Sequence, residues 1–598
     1  MAKATGPRRP PAIERPAGVA AGEPAFGSDV IAATLRALDL PFIALNPGAS
    51  FRGLHDSLVN FLGNARPQML LCLHEEHAVA IAHGYAKVTG RPMAVVVHSN
   101  VGLFHATMAI FNAWCDRMPV IVLGATGPVD AARRRPWIDW IHTARDQGAI
   151  VRGYVKWDDQ PASPAAARES LLRAAWLAQT APMAPVYVNL DAHLQEAPLT
   201  EALPPIDASR FTPAAPMAAP EALVRKAADM LAAAKRPLLL IGRVSRSLDA
   251  WQARIALAEA LGASVATDLK VGAAFPTEHP LHVAPPSVLL RPELAAAIAG
   301  ADVILSLDWV DLAGTLHAVV GATPRAKIIH ASLDHLLHNG WSMDHQGLPP
   351  VDVFLAAEPD VVVPALRDAL PRRAKRRPRG MTRAPAIPAP PRPSSAIDVD
   401  TMAYALRRAV GERPVSLLHL PLSWNAATWP FAHPLDFLGS DGGGGIGAGP
   451  GIAVGASLAL KDAGRLPVAI CGDGDFLMGA TALWTAVHYR TPVLVVVANN
   501  RSFYNDEVHQ ERVARIRGRP VENKWIGQRI ADPDIDLAGL ARAQGAFAVG
   551  PIERAGDLYA AFRQAIAAVE RGAVAVVDVR VAPGYTPAMS AALTRGAK

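Results

Sequence analysis

Cysteine is almost absent from this chain, with three among 598 residues, at positions 72, 115 and 471. An odd, scattered set, each beside apolar neighbours, excludes a disulfide framework or a zinc cluster and reads as packed thiols in a reducing compartment. Long apolar runs are missing too; none approaches the roughly 20 residues of a membrane span. Residues 1–27 are rich in Pro and Ala and lack the apolar stretch of a secretory signal, so they read as a flexible N-terminal extension. The expected location is therefore cytoplasmic. Charge of one sign is scarce once a single segment is set aside. Arg372, Arg373, Lys375, Arg376, Arg377, Arg379 and Arg383 fall within twelve residues, and without those seven the formal net charge of +6 becomes −1. That run lies in a Pro-rich stretch, 371–394, and reads as a solvated basic linker. No aromatic residue interleaves with its charges, so it gives no nucleic-acid signature.

The chain is too long for one hydrophobic core, and 51% hydrophobic against 19% charged residues suffices for several buried sheets. Short apolar, β-branched runs alternate with helical patterns. In the first block they occur at 42–44, 69–73, 93–97, 120–123 and 186–190. In the second they occur at 237–241, 303–307 and 327–329, and in the third at 415–420, 466–470, 493–498 and 573–579. Strand–helix alternation of this kind predicts α/β domains with parallel sheets. The expected fold is three doubly wound, Rossmann-like parallel-sheet domains over 28–197, 218–370 and 395–598.

The most informative segment is Cys471-Gly472-Asp473-Gly474-Asp475, followed by Asn499-Asn500. A buried strand enters it, a helix predicted over 478–489 leaves it, and a second buried strand ends at the asparagines. In such a βαβ unit Asp473 and Asn500 both sit at carboxyl ends of parallel strands, the edge where open α/β sheets bind ligands. Glycines around one carboxylate, before a helix N-terminus, let backbone N–H groups approach an anion. One acid and one amide oxygen suit a Mg²⁺ ion that keeps the rest of its shell for phosphate oxygens. A second strand-to-helix turn, His74-Glu75-Glu76-His77, puts Glu75 at the ligand edge of another sheet. Glu76 there reads as a partner of the helix dipole. A third segment, 441–451, is so rich in glycine that backbone can approach a ligand closely, and it holds Ile446 among its glycines.

Gly472-Asp473-Gly474, a spacer of 25 residues and Asn500 after Asn499 resemble the signature of thiamine-diphosphate enzymes. The three-block order resembles the acetolactate synthase and benzoylformate decarboxylase family, with aminopyrimidine-binding, central and diphosphate-binding domains. The resemblance implies Mg²⁺ on Asp473, Asn500 and the carbonyl of Ser502. It places Gly472, Gly474 and Asp475 at the cofactor, Ile446 as the apolar wedge beneath it, and the carbonyl of Gly444 on its 4′-amino group. Ser423 and Asn425 fall where relatives place diphosphate contacts. Glu75, ahead of a helix containing Gly84-Tyr85-Ala86, matches the acid that shares a proton with N1′ of the aminopyrimidine.

On the substrate side, Asn46-Pro47-Gly48-Ala49-Ser50 and His98-Ser99-Asn100-Val101-Gly102 resemble the benzoylformate decarboxylase subgroup. Ser50 would hold a substrate carboxylate. His98 would relay protons or, on the plainer reading, be a structural histidine at a strand end. His105, His282 and 504–509 are further candidates for the pocket. The implied activity is C–C bond cleavage or formation next to the carbonyl of a 2-oxo acid, by a decarboxylase or carboligase. An acetolactate synthase-type transferase is the alternative, although the Gly-Met-Val expected after its asparagines is missing. A non-catalytic, cofactor-binding regulatory subunit is the alternative of another class. FAD binding by the central domain stays open but unsupported, because Gly242-Arg243-Val244-Ser245 is too short a signal. The family also implies a homodimer or homotetramer whose sites lie between subunits.

Overall fold

The computed structural model describes residues 11–19, 22–337, 347–371 and 396–585. The basic run at 372–383 lies outside the described residues. The apolar runs become three parallel sheets whose central strands are buried on both faces, which is why the runs are continuous rather than alternating.

The first sheet comprises β1 (Phe42–Leu45), β2 (Gln68–Leu71), β3 (Ala94–Val97), β4 (Ile121–Thr126), β5 (Asp158–Asp159) and β6 (Val186–Asp191), in the order β2-β1-β3-β4-β6-β5. The central sheet comprises β7 (Pro237–Ile241), β8 (Ser264–Ala266), β9 (Val303–Leu307), β10 (Lys327–Ala331) and β11 (Val353–Leu355), in the order β11-β10-β9-β7-β8. The third comprises β12 (Val415–His419), β13 (Leu466–Gly472), β14 (Val493–Asn499), β15 (Phe547–Ile552) and β16 (Val574–Arg580), in the order β12-β13-β14-β16-β15.

Strand order reverses beside β1, which pairs with β2 on one side and β3 on the other, both parallel. Such a reversal opens a crevice at the carboxyl ends of the two strands. In the third sheet β13 lies beside β14, with Gly472 opposite Ala498, so the Gly-Asp-Gly turn and the two asparagines leave the same edge.

Four helices position the site. They are α1 (Glu75–Thr89), α2 (Ser99–Cys115), α3 (Gly449–Leu460) and α4 (Asp473–Gly479). Helices α1 and α3 join the first domain to the third, with backbones in close approach. A Cβ added to Gly84 would lie 2.1 Å from the carbonyl oxygen of Ile452, and one on Gly455 would lie 1.8 Å from that of Ile81. Only glycine permits this crossing.

The described part of the N-terminal extension is docked rather than free. Glu14 accepts from the Tyr489 hydroxyl at 2.8 Å and pairs with His488 Nε2 at 2.9 Å. The Tyr489 hydroxyl in turn accepts from Leu71 N–H at the end of β2.

Candidate active site

Asp473 is the first residue of α4 and is buried. Its Oδ1 accepts from Gly474 N–H at 3.0 Å and its Oδ2 from Ser502 N–H at 3.1 Å. The same Ser502 N–H donates to Asn500 Oδ1 at 2.8 Å, so the two predicted side-chain ligands converge on one point beside Ser502. Arg501, between them, is held at φ 59°, in the left-handed region that non-glycine residues enter at a cost of about 1–3 kcal/mol. Burial pushes the Asp473 carboxyl up to about 6, against the N–H groups of Gly474, Arg501 and Ser502. Among the described residues no cationic side chain pairs with it. A buried carboxylate that lacks a counter-charge, beside a converging amide oxygen, fits a hard divalent cation.

Asp475 anchors the glycine-rich loop through one carboxylate oxygen. Its Oδ1 accepts from Gly447 N–H at 2.7 Å and Gly449 N–H at 3.3 Å, which staples the glycine-rich loop to the Gly-Asp-Gly turn. In that loop Gly444 and Gly447 have φ of 74° and 106°. Ile446 is exposed. The loop also runs along α2, where Gly443 N–H donates to Asn112 Oδ1 at 3.0 Å. Asn425 has its carboxamide engaged elsewhere, on Ala427 N–H at 3.2 Å and Asp400 at 3.1 Å. Ser423 lies half-buried in the turn just before it.

Glu75 opens α1 and is buried, with its Oε2 3.0 Å from His105 Nδ1. The next residue, Glu76, gives its N–H to the capping ring of His74 at 3.1 Å. A Cβ on Gly447 would lie 3.9 Å from Glu76 Oε1, so the head of α1 and the glycine-rich loop are side by side.

The crevice beside β1 holds the other two candidates together. Ser50 follows β1, His98 follows β3, and Ser50 Oγ lies 2.8 Å from His98 Nδ1. Gly48 permits this approach, since a Cβ there would sit 2.3 Å from His98 Cβ. Ser50 N–H also points at Nδ1, at 3.4 Å, and Ser99 N–H donates to Ser50 Oγ at 3.2 Å. Two donors on Nδ1 assign it as the acceptor and place the ring proton on Nε2. Burial, then the edge-on ring of His142 at 4.8 Å, lower the His98 pKa, and Glu75 opposes them. His98 is therefore neutral over most of the physiological range. Ser99 is held at φ 51°, a second left-handed residue directly after a candidate.

His282 does not join this group. It is buried in the central domain with its Nε2 2.9 Å from Thr267 Oγ1. His509 is exposed on the helix Tyr504–Ile516. Arg243 of the short glycine turn is taken up by Asp308 at 2.9 Å and Asp334 at 3.1 Å.

The sequence reading passed over one buried cluster. Lys87 Nζ pairs with Asp116 and donates to the Ser440 carbonyl at 2.6 Å, just before the glycine-rich loop, while His83 Nε2 lies 2.8 Å from Asp116. Burial pushes Asp116 up, but Lys87 and His83 outweigh it and hold it at about 2. The available signal was His83 and Lys87 at i, i+4 in the apolar part of α1, 78–88.

Fold and site define a three-domain α/β protein that presents two sheet edges, one of them carrying the buried Asp473 beside Asn500. Comparison with known proteins agrees along the chain. The thiamine pyrophosphate enzyme N-terminal TPP binding domain matches residues 26–150, the central domain 224–340 and the C-terminal TPP binding domain 421–579. Benzoylformate decarboxylase of Pseudomonas aeruginosa is 28% identical over 452 residues, covering 73% of this chain and 79% of its own. The acetolactate synthase large subunit of Corynebacterium glutamicum is 26% identical over 539 residues, covering 86% and 81%. The crystal structure of benzoylformate decarboxylase from Polynucleobacter necessarius superposes with a TM-score of 0.78 at 21% identity, covering 94% of this chain and 100% of that one, a likeness of fold. The chain belongs to the thiamine pyrophosphate enzyme family and is a thiamine-diphosphate-dependent enzyme.

Proposed function

We propose that this enzyme uses thiamine diphosphate and Mg²⁺ to cleave the bond between the carbonyl and carboxylate carbons of a 2-oxo acid, releasing CO₂. The product is then either protonated or joined to a second carbonyl compound. When bound, the cofactor supplies a thiazolium ring that accepts the electron pair left by CO₂. The chain's own residues do the rest. Asp473, Asn500 and the Ser502 carbonyl would hold Mg²⁺, and Gly472 and Gly474 would leave room for the diphosphate. Glu75 would hold a proton opposite the aminopyrimidine. Ser50 would turn its hydroxyl from His98 Nδ1 to orient the substrate carboxylate, and His98 would move protons at Nε2.

The Ser50–His98 pair at the β1/β3 crevice carries the substrate reading, because it joins a hydroxyl and a neutral imidazole where a small acid would lie. Among the relatives, a probable 2-ketoarginine decarboxylase of Pseudomonas aeruginosa is 27% identical over 482 residues, alongside the benzoylformate decarboxylase, which supports decarboxylation of a 2-oxo acid. The intact set of Glu75, Asp473 and Asn500 argues against a purely regulatory subunit. The reading includes a homodimer or homotetramer with shared sites. Its support is that Leu73, Phe104 and Met478, each within three residues of a site residue along the chain, are exposed.

A panel of 2-oxo acids, assayed for CO₂ and product with thiamine diphosphate and Mg²⁺ added, tests the proposal. CO₂ from an aryl-substituted or long-chain 2-oxo acid is expected. Acetolactate from pyruvate alone would favour the transferase, and no CO₂ from any member would refute the proposal.

A further inference from the structure

Gly102 and His105 stand at i and i+3 on one face of α2, whose N-cap is His98. That face meets the head of α1. Glu75 lies flat against it, because a Cβ on Gly102 would come within 3.0 Å of Glu75 Oε1 and 3.2 Å of its Cγ. The other oxygen, Oε2, is 3.0 Å from His105 Nδ1. A carboxylate oxygen can only accept from a ring nitrogen unless it carries the proton itself, so His105 presents Nδ1–H. The ring of His105 is braced from behind. His74 stacks on it at 4.9 Å with planes 23° apart, and His74 is itself fixed as the helix cap by Glu76 N–H at 3.1 Å. Among the described residues Glu75 Oε1 receives no hydrogen bond. One oxygen is therefore clamped and the other left for a ligand.

We infer that His105 is the positioning residue for Glu75, holding one carboxyl oxygen so that the other faces the aminopyrimidine of the cofactor in one fixed orientation. This rests on the function proposed above, in which Glu75 exchanges a proton with that ring. A mere surface ion pair would leave the rate of that exchange unchanged. His105 is half-exposed, with 51% of its side chain accessible, so its replacement should not disturb the core.

The test uses the full-length protein loaded with thiamine diphosphate and Mg²⁺, and follows exchange of the cofactor C2 proton in D₂O by quenched NMR. In H105F the exchange should slow about 10- to 100-fold, less than the roughly 10²–10⁴-fold that loss of the general acid–base itself would cost. Cofactor affinity by calorimetry should stay within about threefold, the binding groups being elsewhere. H105N, whose amide can donate from a similar place, should recover most of the rate. In the cofactor-free protein, ¹⁵N spectra should show His105 as the Nδ1–H tautomer, and that preference should disappear in E75A. Unchanged C2 exchange in H105F, or an Nε2–H tautomer in the wild type, would overturn the inference. If the wild type binds no thiamine diphosphate, the functional reading fails, and the tautomer measurement alone still decides the His105–Glu75 contact.

Discussion

Replacing Gly455 by alanine sets two effects of opposite sign against each other. In an open helix the change gains about 1 kcal/mol of helix propensity. At Gly455 the new Cβ would lie 1.8 Å from the backbone oxygen of Ile81, far inside the contact distance of a carbon and an oxygen. The obstacle is backbone, not the end of a flexible side chain, so α1 and α3 must separate. Overpacking costs about 1–3 kcal/mol, and here the upper end applies, leaving a net loss of about 2 kcal/mol. For a domain of this size that lowers Tm by roughly 4–8 °C. Because α1 carries Glu75 and α3 follows the glycine-rich loop, cofactor affinity should fall with it. Differential scanning calorimetry of G455A and G84A, with G556A as control, reads the sign. Gly556 sits in the helix Ala555–Glu570 with nothing within 4 Å of its Cβ position, so its replacement should be neutral or stabilising. A G455A protein as stable as G556A would refute the close crossing.

Three further outcomes follow from the site. H98A should reduce turnover of an accepted 2-oxo acid by about 10²–10⁴ and S50A by less, and because they share a hydrogen bond the double variant should fall short of the product of the two losses; strictly multiplicative effects would separate them. His77, on α1 against Thr481 Oγ1 at 3.1 Å, is held down to about 4 by burial and then by His74. A depressed histidine contributes stability that is present above its unfolded value near 6.5 and lost as pH falls towards 4. The contribution is at most about 3 kcal/mol. Wild type should therefore lose more stability than H77Q over that window, and parallel urea midpoints would contradict this. Mixing E75Q with D473A should restore part of the activity if each site takes Glu75 from one copy and Asp473 from another, whereas no recovery in verified mixed oligomers would place the whole site within one chain.

Continuous β-branched runs such as Val493–Asn499 were legible because a strand buried on both faces needs no alternation. Several edge strands were not, although Gln68–Leu71 and Val415–His419 were. Ser264–Ala266 and Val353–Leu355 are too short to show a pattern, and Phe547–Ile552 contains Gly550-Pro551, which reads as a turn yet is tolerated on an edge. The single helix expected over 478–489 is two, Asp473–Gly479 and Ala482–His488. The break lies at Thr481, whose hydroxyl turns to His77 in the other domain, a contact no local pattern encodes. That Asp473 and Asn500 lie together was legible because strand ends in a βαβ unit share an edge. The hold of His105 on Glu75 was not, since thirty residues separate them and only the packing of α1 on α2 brings them together.

Isothermal calorimetry of thiamine diphosphate binding, with and without Mg²⁺, tests the central claim most directly. Wild type should bind only when Mg²⁺ is present, and D473A should lose that dependence together with most of its affinity. Equal affinity in the two proteins, or wild-type binding indifferent to Mg²⁺, would contradict the placing of the cofactor at this sheet edge.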